Sequence, residues 1–128
     1  MPWTMSSERP IYLQLVDRIK RQIAAGKYSP GDRFPSVREL ALEAAVNPNT
    51  MQRALAALEA DGLLITSRTA GRTVTTEEGM IKAMKEQIAT EEYEHFYMSM
   101  KELGYDDEGI RKFINEVSIP DGKGGSKS

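Results

Sequence analysis

Apolar residues recur every three or four positions in five separate stretches of this chain, and one short region between the third and fourth has β character. Ile11, Leu15, Ile19 and Ile23 repeat every four residues, with Tyr12 and Val16 beside them, and predict an amphipathic first helix. Pro10 suits its opening turn and Gly26 its end. After the turn cluster Tyr28-Ser29-Pro30-Gly31-Asp32, the Ser36-Val37-Arg38-Glu39 capping box starts a second helix that turns Val37, Leu40, Ala41 and Ala44 inward. Ala45-Val46 makes a corner. Asn47 caps a third helix and Pro48 takes its first position, with Met51, Leu55 and Leu58 as the buried stripe and Gly62 as the stop. Runs 63–67 and 72–76, rich in Ile, Val and Thr, predict a hairpin that turns through Arg68-Thr69-Ala70-Gly71. Thr75-x-x-Glu78 reads as a second capping box, opening a long helix to about Leu103. Gly104 stops that helix. Asp106 or Asp107 then caps a last one carrying Ile110, Phe113, Ile114 and Val117.

The expected fold class is therefore mainly α with a small β-hairpin wing: a winged helix-turn-helix domain followed by a short C-terminal helical segment. The division is 9–76, 77–118 and a flexible tail of composition-poor sequence at 119–128. At 128 residues the chain has room for one small domain and an appendage. No apolar run approaches the roughly 20 residues of a membrane span, and the N-terminus lacks a signal-peptide pattern. Zero cysteines exclude disulfides and thiolate chemistry. A cytoplasmic location is the expectation.

The net charge of −2 conceals an asymmetry. Through Thr76 there are ten Lys/Arg and seven Asp/Glu, a net of +3; from Glu77 onward there are seven and twelve, a net of −5. A basic front half can meet phosphate while an acidic back half stays away from it.

The third helix points to the same partner. With Met51, Leu55 and Leu58 inward, the 3.6 period puts Asn49, Gln52 and Arg53 on the outer face and Thr50 at its edge. Asn and Gln can pair with adenine, and Arg with guanine or phosphate. Asn47 is first of all a cap. Arg38 lies near a helix start, where the dipole disfavours a cation, and this is a mild sign of an external anion. Arg68 and Arg72 flank Gly71 in the turn, where a wing tip could reach the DNA backbone.

These residues resemble the GntR-type winged helix-turn-helix regulators. The likeness runs through Pro10-Ile11-Tyr12, Pro30-Gly31-Asp32, Phe34-Pro35-Ser36-Val37-Arg38-Glu39-Leu40-Ala41 and Leu58-Glu59-x-x-Gly62-Leu63. The element Val46-Asn47-Pro48-Asn49-Thr50 and the short C-terminal part resemble the YtrA-like subfamily. The resemblance implies DNA contacts at Arg38, Asn47, Asn49, Thr50, Gln52 and Arg53, and wing contacts at Arg68, Gly71 and Arg72. The tip departs from the subfamily pattern at Thr69, Ala70 and Arg72, where Gly, a basic residue and Thr are usual. The resemblance also implies C-terminal helices used for dimerisation.

Ile81, Met84, Ile88, Phe96, Met100 and Leu103 give the long helix an apolar stripe larger than a small winged domain covers, and Ile110, Phe113 and Ile114 can fold back on it. A second subunit would bury the rest. The expected function is a homodimeric repressor that binds a palindromic operator in double-stranded DNA. The alternative is a winged-helix protein-interaction module acting through its C-terminal helices. An enzyme is not expected, since no nucleophile–base or phosphate-loop spacing is present. His95 with Glu91 is read as a solvated face rather than a metal site, so no cofactor is expected, and no effector is identified.

Overall fold

The computed structural model describes residues 3–117. The tail at 119–128 lies outside them. Five helices and one hairpin follow in order: α1 (Ile11–Ala24), α2 (Val37–Ala44), α3 (Pro48–Ala60), β1 (Leu64–Ser67), β2 (Gly71–Val74), α4 (Glu78–Glu102) and α5 (Asp107–Glu116). The chain forms two units, one ending at Ile88 and the other beginning at Ala89, so the boundary falls inside α4.

In the first unit α3 packs on both α1 and α2 and leads into β1. Leu15 and Ile19 of α1, Leu40 of α2, and Met51, Leu55 and Leu58 of α3 are fully enclosed. Ile11, expected in the α1 stripe, opens that helix and is 42% exposed. The capping box at α2 is present in both directions: Glu39 N–H donates to Ser36 Oγ at 3.1 Å, and Ser36 N–H donates to Glu39 Oε1 at 2.9 Å. Ala45 ends α2 with φ +60, a left-handed corner unusual for a residue with a Cβ. It redirects the chain within two residues into α3, where Asn47 Oδ1 accepts from Asn49 N–H at 2.7 Å.

β1 and β2 pair antiparallel, Leu64 opposite Val74 through Ser67 opposite Gly71. The turn cluster before α2 adds a third strand-like edge. Phe34 N–H donates to Arg72 O, Val74 N–H to Asp32 O, and Gly31 N–H to Val74 O, at 2.8, 2.9 and 2.9 Å. The outer edge of β2 is thus paired, and Phe34 is drawn into the core. Trp3 is also buried. Its indole N–H donates to Glu43 at 3.3 Å and Arg18 lies 5.1 Å from its ring, so the first unit begins earlier than the residue 9 expected from the pattern.

The apolar positions of α4 do not form one stripe. At about 100° per residue, Ile81, Met84 and Ile88 fall within about 60° of one another, and Phe96, Met100 and Leu103 cluster about 90° further round. Ile81 and Met84 pack against the core of the first unit. In the second unit Met100 and Ile110 are buried, Asp106 Oδ1 accepts from Gly109 N–H to cap α5, and the Tyr105 and Phe113 rings meet edge to face.

Candidate nucleic-acid interface

Three pieces of the first unit carry the expected DNA contacts: the start of α2, the start of α3 and the hairpin tip. Arg38 is exposed in the first turn of α2. Asn47, Asn49, Gln52 and Arg53 are exposed at and after the start of α3, and Thr50 is half-buried at its edge, as the helical period requires. Pro48 at the first helical position and the Asn47 cap make this start rigid. Arg68 is exposed at the tip, where Ser67 Oγ accepts from Ala70 N–H at 2.9 Å. Gly71 opens β2 with φ +72, a conformation that favours glycine. A cleft of about 510 Å³ separates the start of α2 from the start of β2, lined by Arg33, Pro35, Ser36, Glu39, Gly71 and Arg72 among others.

Two arginines have intrachain partners that their positions in the sequence do not announce. Arg53 makes no ion pair among the described residues. Its guanidinium instead lies 3.8 Å from the centroid of the Tyr12 ring, at the start of α1. Glu59, at the far end of α3, takes Arg72. The Nε of Arg72 donates to Glu59 Oε2 at 3.1 Å, and the Thr66 hydroxyl bonds the same oxygen. With side chains 17% and 27% exposed, Arg72 and Glu59 tie both strands of the hairpin to α3. The Nε of Arg72 is thus engaged within the chain, whereas Arg68 is exposed.

The Glu39 carboxyl is held below its ordinary range, mainly because the Ser36 backbone N–H donates to it and secondarily through the Ser36 hydroxyl. Its negative charge is spent on the cap of α2, one residue from Arg38.

Of the residues expected to dimerise, Ile81, Met84, Met100 and Ile110 are engaged within the chain. Ile88 and Phe96 are half-buried. Leu103, Phe113 and Ile114 stay 73%, 38% and 45% exposed, and Tyr93, Met98 and Val117 are exposed beside them in the same unit. His95 is exposed, and no cluster of three or more metal-binding side chains exists among the described residues. Nor is any described helix long and apolar enough to cross a membrane.

Comparison with known proteins bears on this arrangement. The family of bacterial regulatory proteins called gntR matches residues 11–74. The HTH-type transcriptional repressor YtrA of Bacillus subtilis (strain 168) is 35% identical over an alignment covering 95% of this chain and 94% of that protein. A GntR family transcriptional regulator from Listeria monocytogenes superimposes with a TM-score of 0.79 at 37% identity, covering 89% of this chain and all of that one. The AraR DNA-binding domain in complex with its operator ORR3 superimposes with a TM-score of 0.50 at 28% identity, over 59% of this chain and 90% of that one.

Proposed function

The chain belongs to the gntR family of bacterial regulatory proteins and is a DNA-binding transcriptional regulator, and on that premise we propose that it works in the cytoplasm as a homodimeric repressor on a palindromic operator. Residues 9–76, with Trp3 added to their core, read DNA, and the helical segment 77–118 pairs the subunits. The observation that carries the reading is the start of α3, where Asn49, Gln52 and Arg53 stand exposed on a rigidly capped helix with Arg38 on the neighbouring helix. Gln52 is assigned to base edges, and Asn49, beside Arg53 on the α1-facing flank of α3, to the backbone. Arg38, Asn47 and Thr50 are assigned to the backbone beside them, and Arg68 and Gly71 to the wing contact. Arg72 is assigned to holding the wing.

Pairing supports the palindrome, because a two-fold dimer presents two heads to two half-sites about one helical turn apart. Leu103, Phe113 and Ile114 are the side chains left for a second subunit. Selection from random duplexes should return an inverted repeat. Binding to it should weaken steeply between about 50 and 200 mM salt, as phosphate contacts require. Joint replacement of Gln52 and Arg53 by Ala should abolish selectivity, and unchanged affinity in that variant would sink the assignment. Sedimentation should give twice the 14.3 kDa of one chain, and Leu103→Asp with Ile114→Asp should return it to one.

A further inference from the structure

We propose that Tyr12 is a positioning residue for DNA reading: its ring is the platform that holds the Arg53 guanidinium for a DNA phosphate. The inference rests on the DNA-reading assignment above. Tyr12 stands at the start of α1, half-buried and packed on the core of the first unit, so its ring is fixed before any ligand arrives. Arg53 lies 3.8 Å from that ring's centroid. No carboxylate lies within ion-pair distance of Arg53 among the described residues. Stacking uses only the face of a guanidinium. The N–H donors point outward in its plane and stay uncommitted. Arg72, by contrast, has already spent its Nε on Glu59.

The location selects phosphate over base. Arg53 and Asn49, one turn apart, line a cleft of about 380 Å³ with Pro10, Ile11, Tyr12 and Thr50. They occupy the flank of α3 that faces α1, whereas Gln52 is exposed outside that cleft. When a helix enters the major groove its outermost side chains meet base edges and its flanks meet the sugar-phosphate walls. The first turn of α1 carries no acidic residue to repel the anion.

The test uses the full chain and an operator duplex obtained by selection, beside a scrambled duplex. Tyr12→Leu should weaken binding to both duplexes by about three- to tenfold, the worth of a lost cation–π contact, with the salt dependence unchanged. Tyr12→Phe should bind as the parent does. Arg53→Ala should lower the salt slope by about one, and adding Tyr12→Leu to it should cost nothing further. Arg53→Lys keeps the charge, stacks poorly and leaves the core untouched; it should lose affinity by a factor similar to that of Tyr12→Leu. The proposal is overturned if Tyr12→Leu weakens binding equally with and without Arg53, if Tyr12→Phe is as weak as Tyr12→Leu, or if Arg53→Lys binds like the parent. If the parent chain shows no salt-dependent, sequence-selective binding, the DNA assignment itself fails.

Discussion

In the first unit Leu15, Ile19, Leu40, Met51, Leu55 and Leu58 are completely enclosed, whereas in the second only Met100 and Ile110 are buried among the described residues. Leu103 is 73% exposed and Ile114 45%. Both units carry apolar residues at helical spacing, and they differ in what those residues meet. Two helices, α1 and α2, and the hairpin close around α3 in the first. In the second, two helices leave much of their apolar surface on the outside. A self-contained core suits a head that must hold its shape on DNA. An uncovered apolar face suits a surface that awaits a partner.

The strongest way to break that contrast is to truncate a leucine in each unit. Leu55→Ala removes a fully enclosed side chain and should destabilise the first unit by about 2–5 kcal/mol. Leu103→Ala should change the stability of an isolated chain by no more than about 0.5 kcal/mol. Trp3 is the only tryptophan and sits in the first core, so its fluorescence follows that unit in a denaturant titration, while far-UV circular dichroism of the helices follows both. Equal losses from both substitutions would show that the second unit is as well packed as the first.

The same contrast explains how much was legible in the sequence. The first unit was read nearly whole, because its stripes, the Ser36–Glu39 box, the Asn47-Pro48 start and the glycine stops all act within a few residues of one another. What escaped depends on distant partners. Trp3 stands in a segment with no periodicity, yet reaches Glu43 and Arg18. Residues 31–34 read as a turn, yet pair with β2, since no local pattern announces a strand that forms on an existing edge. In the interface the outward set Asn49, Gln52 and Arg53 followed from period alone, but not the partner of each arginine. The apparent stripe of α4 was the larger misreading. A rotation of about 90° separates Ile81, Met84 and Ile88 from Phe96, Met100 and Leu103, and a count of apolar residues does not register it.

A smaller effect should follow from loosening the wing. Glu59 accepts from both Thr66 and Arg72 at a half-buried site, so Glu59→Ala should cost about 1 kcal/mol and free the hairpin from α3. Arg72→Thr, which installs the residue usual in the subfamily, should cost less because Thr66 keeps its bond. Amide exchange across β1 and β2 should quicken in both variants and stay unchanged in α5. Equal protection in Glu59→Ala and the parent would mean that the backbone pairing with 31–34 suffices to hold the wing.

Ala45 offers a change of opposite sign. A side chain at φ +60 costs roughly 1–2 kcal/mol, partly offset by the entropy that glycine loses on folding. Ala45→Gly should therefore stabilise the first unit by about 0.5–1 kcal/mol and raise the melting midpoint by a few degrees in tryptophan fluorescence. A lower midpoint would mean that the methyl group makes the corner stiffer than its strain makes it costly.

The smallest effect concerns the second unit, where a polar clip does part of the work that packing does in the first. Asp107 Oδ1 accepts from the Tyr97 hydroxyl at 2.7 Å and pairs with Lys101 Nζ at 3.3 Å, joining α4 to the start of α5. The Tyr97 bond, and after it Lys101, holds the Asp107 carboxyl below its ordinary range. The Tyr97 phenol and the Lys101 ammonium are both raised, chiefly by their hydrogen bonds to Asp107. A lowered carboxylate contributes stability above its unfolded value and loses it as pH falls through the folded one. A raised phenol or ammonium contributes below its unfolded value and loses it as pH rises through the folded one. The clip is therefore fully present between about pH 4 and pH 10 and opens outside that window. Carbon-13 labelling of the tyrosine rings should show Tyr97 titrating above the ordinary phenol range in the parent chain. In Asp107→Asn it should move back towards the ordinary value. If Tyr97 does not move, the clip is absent in solution, and Met100 and Ile110 alone hold α5 to α4.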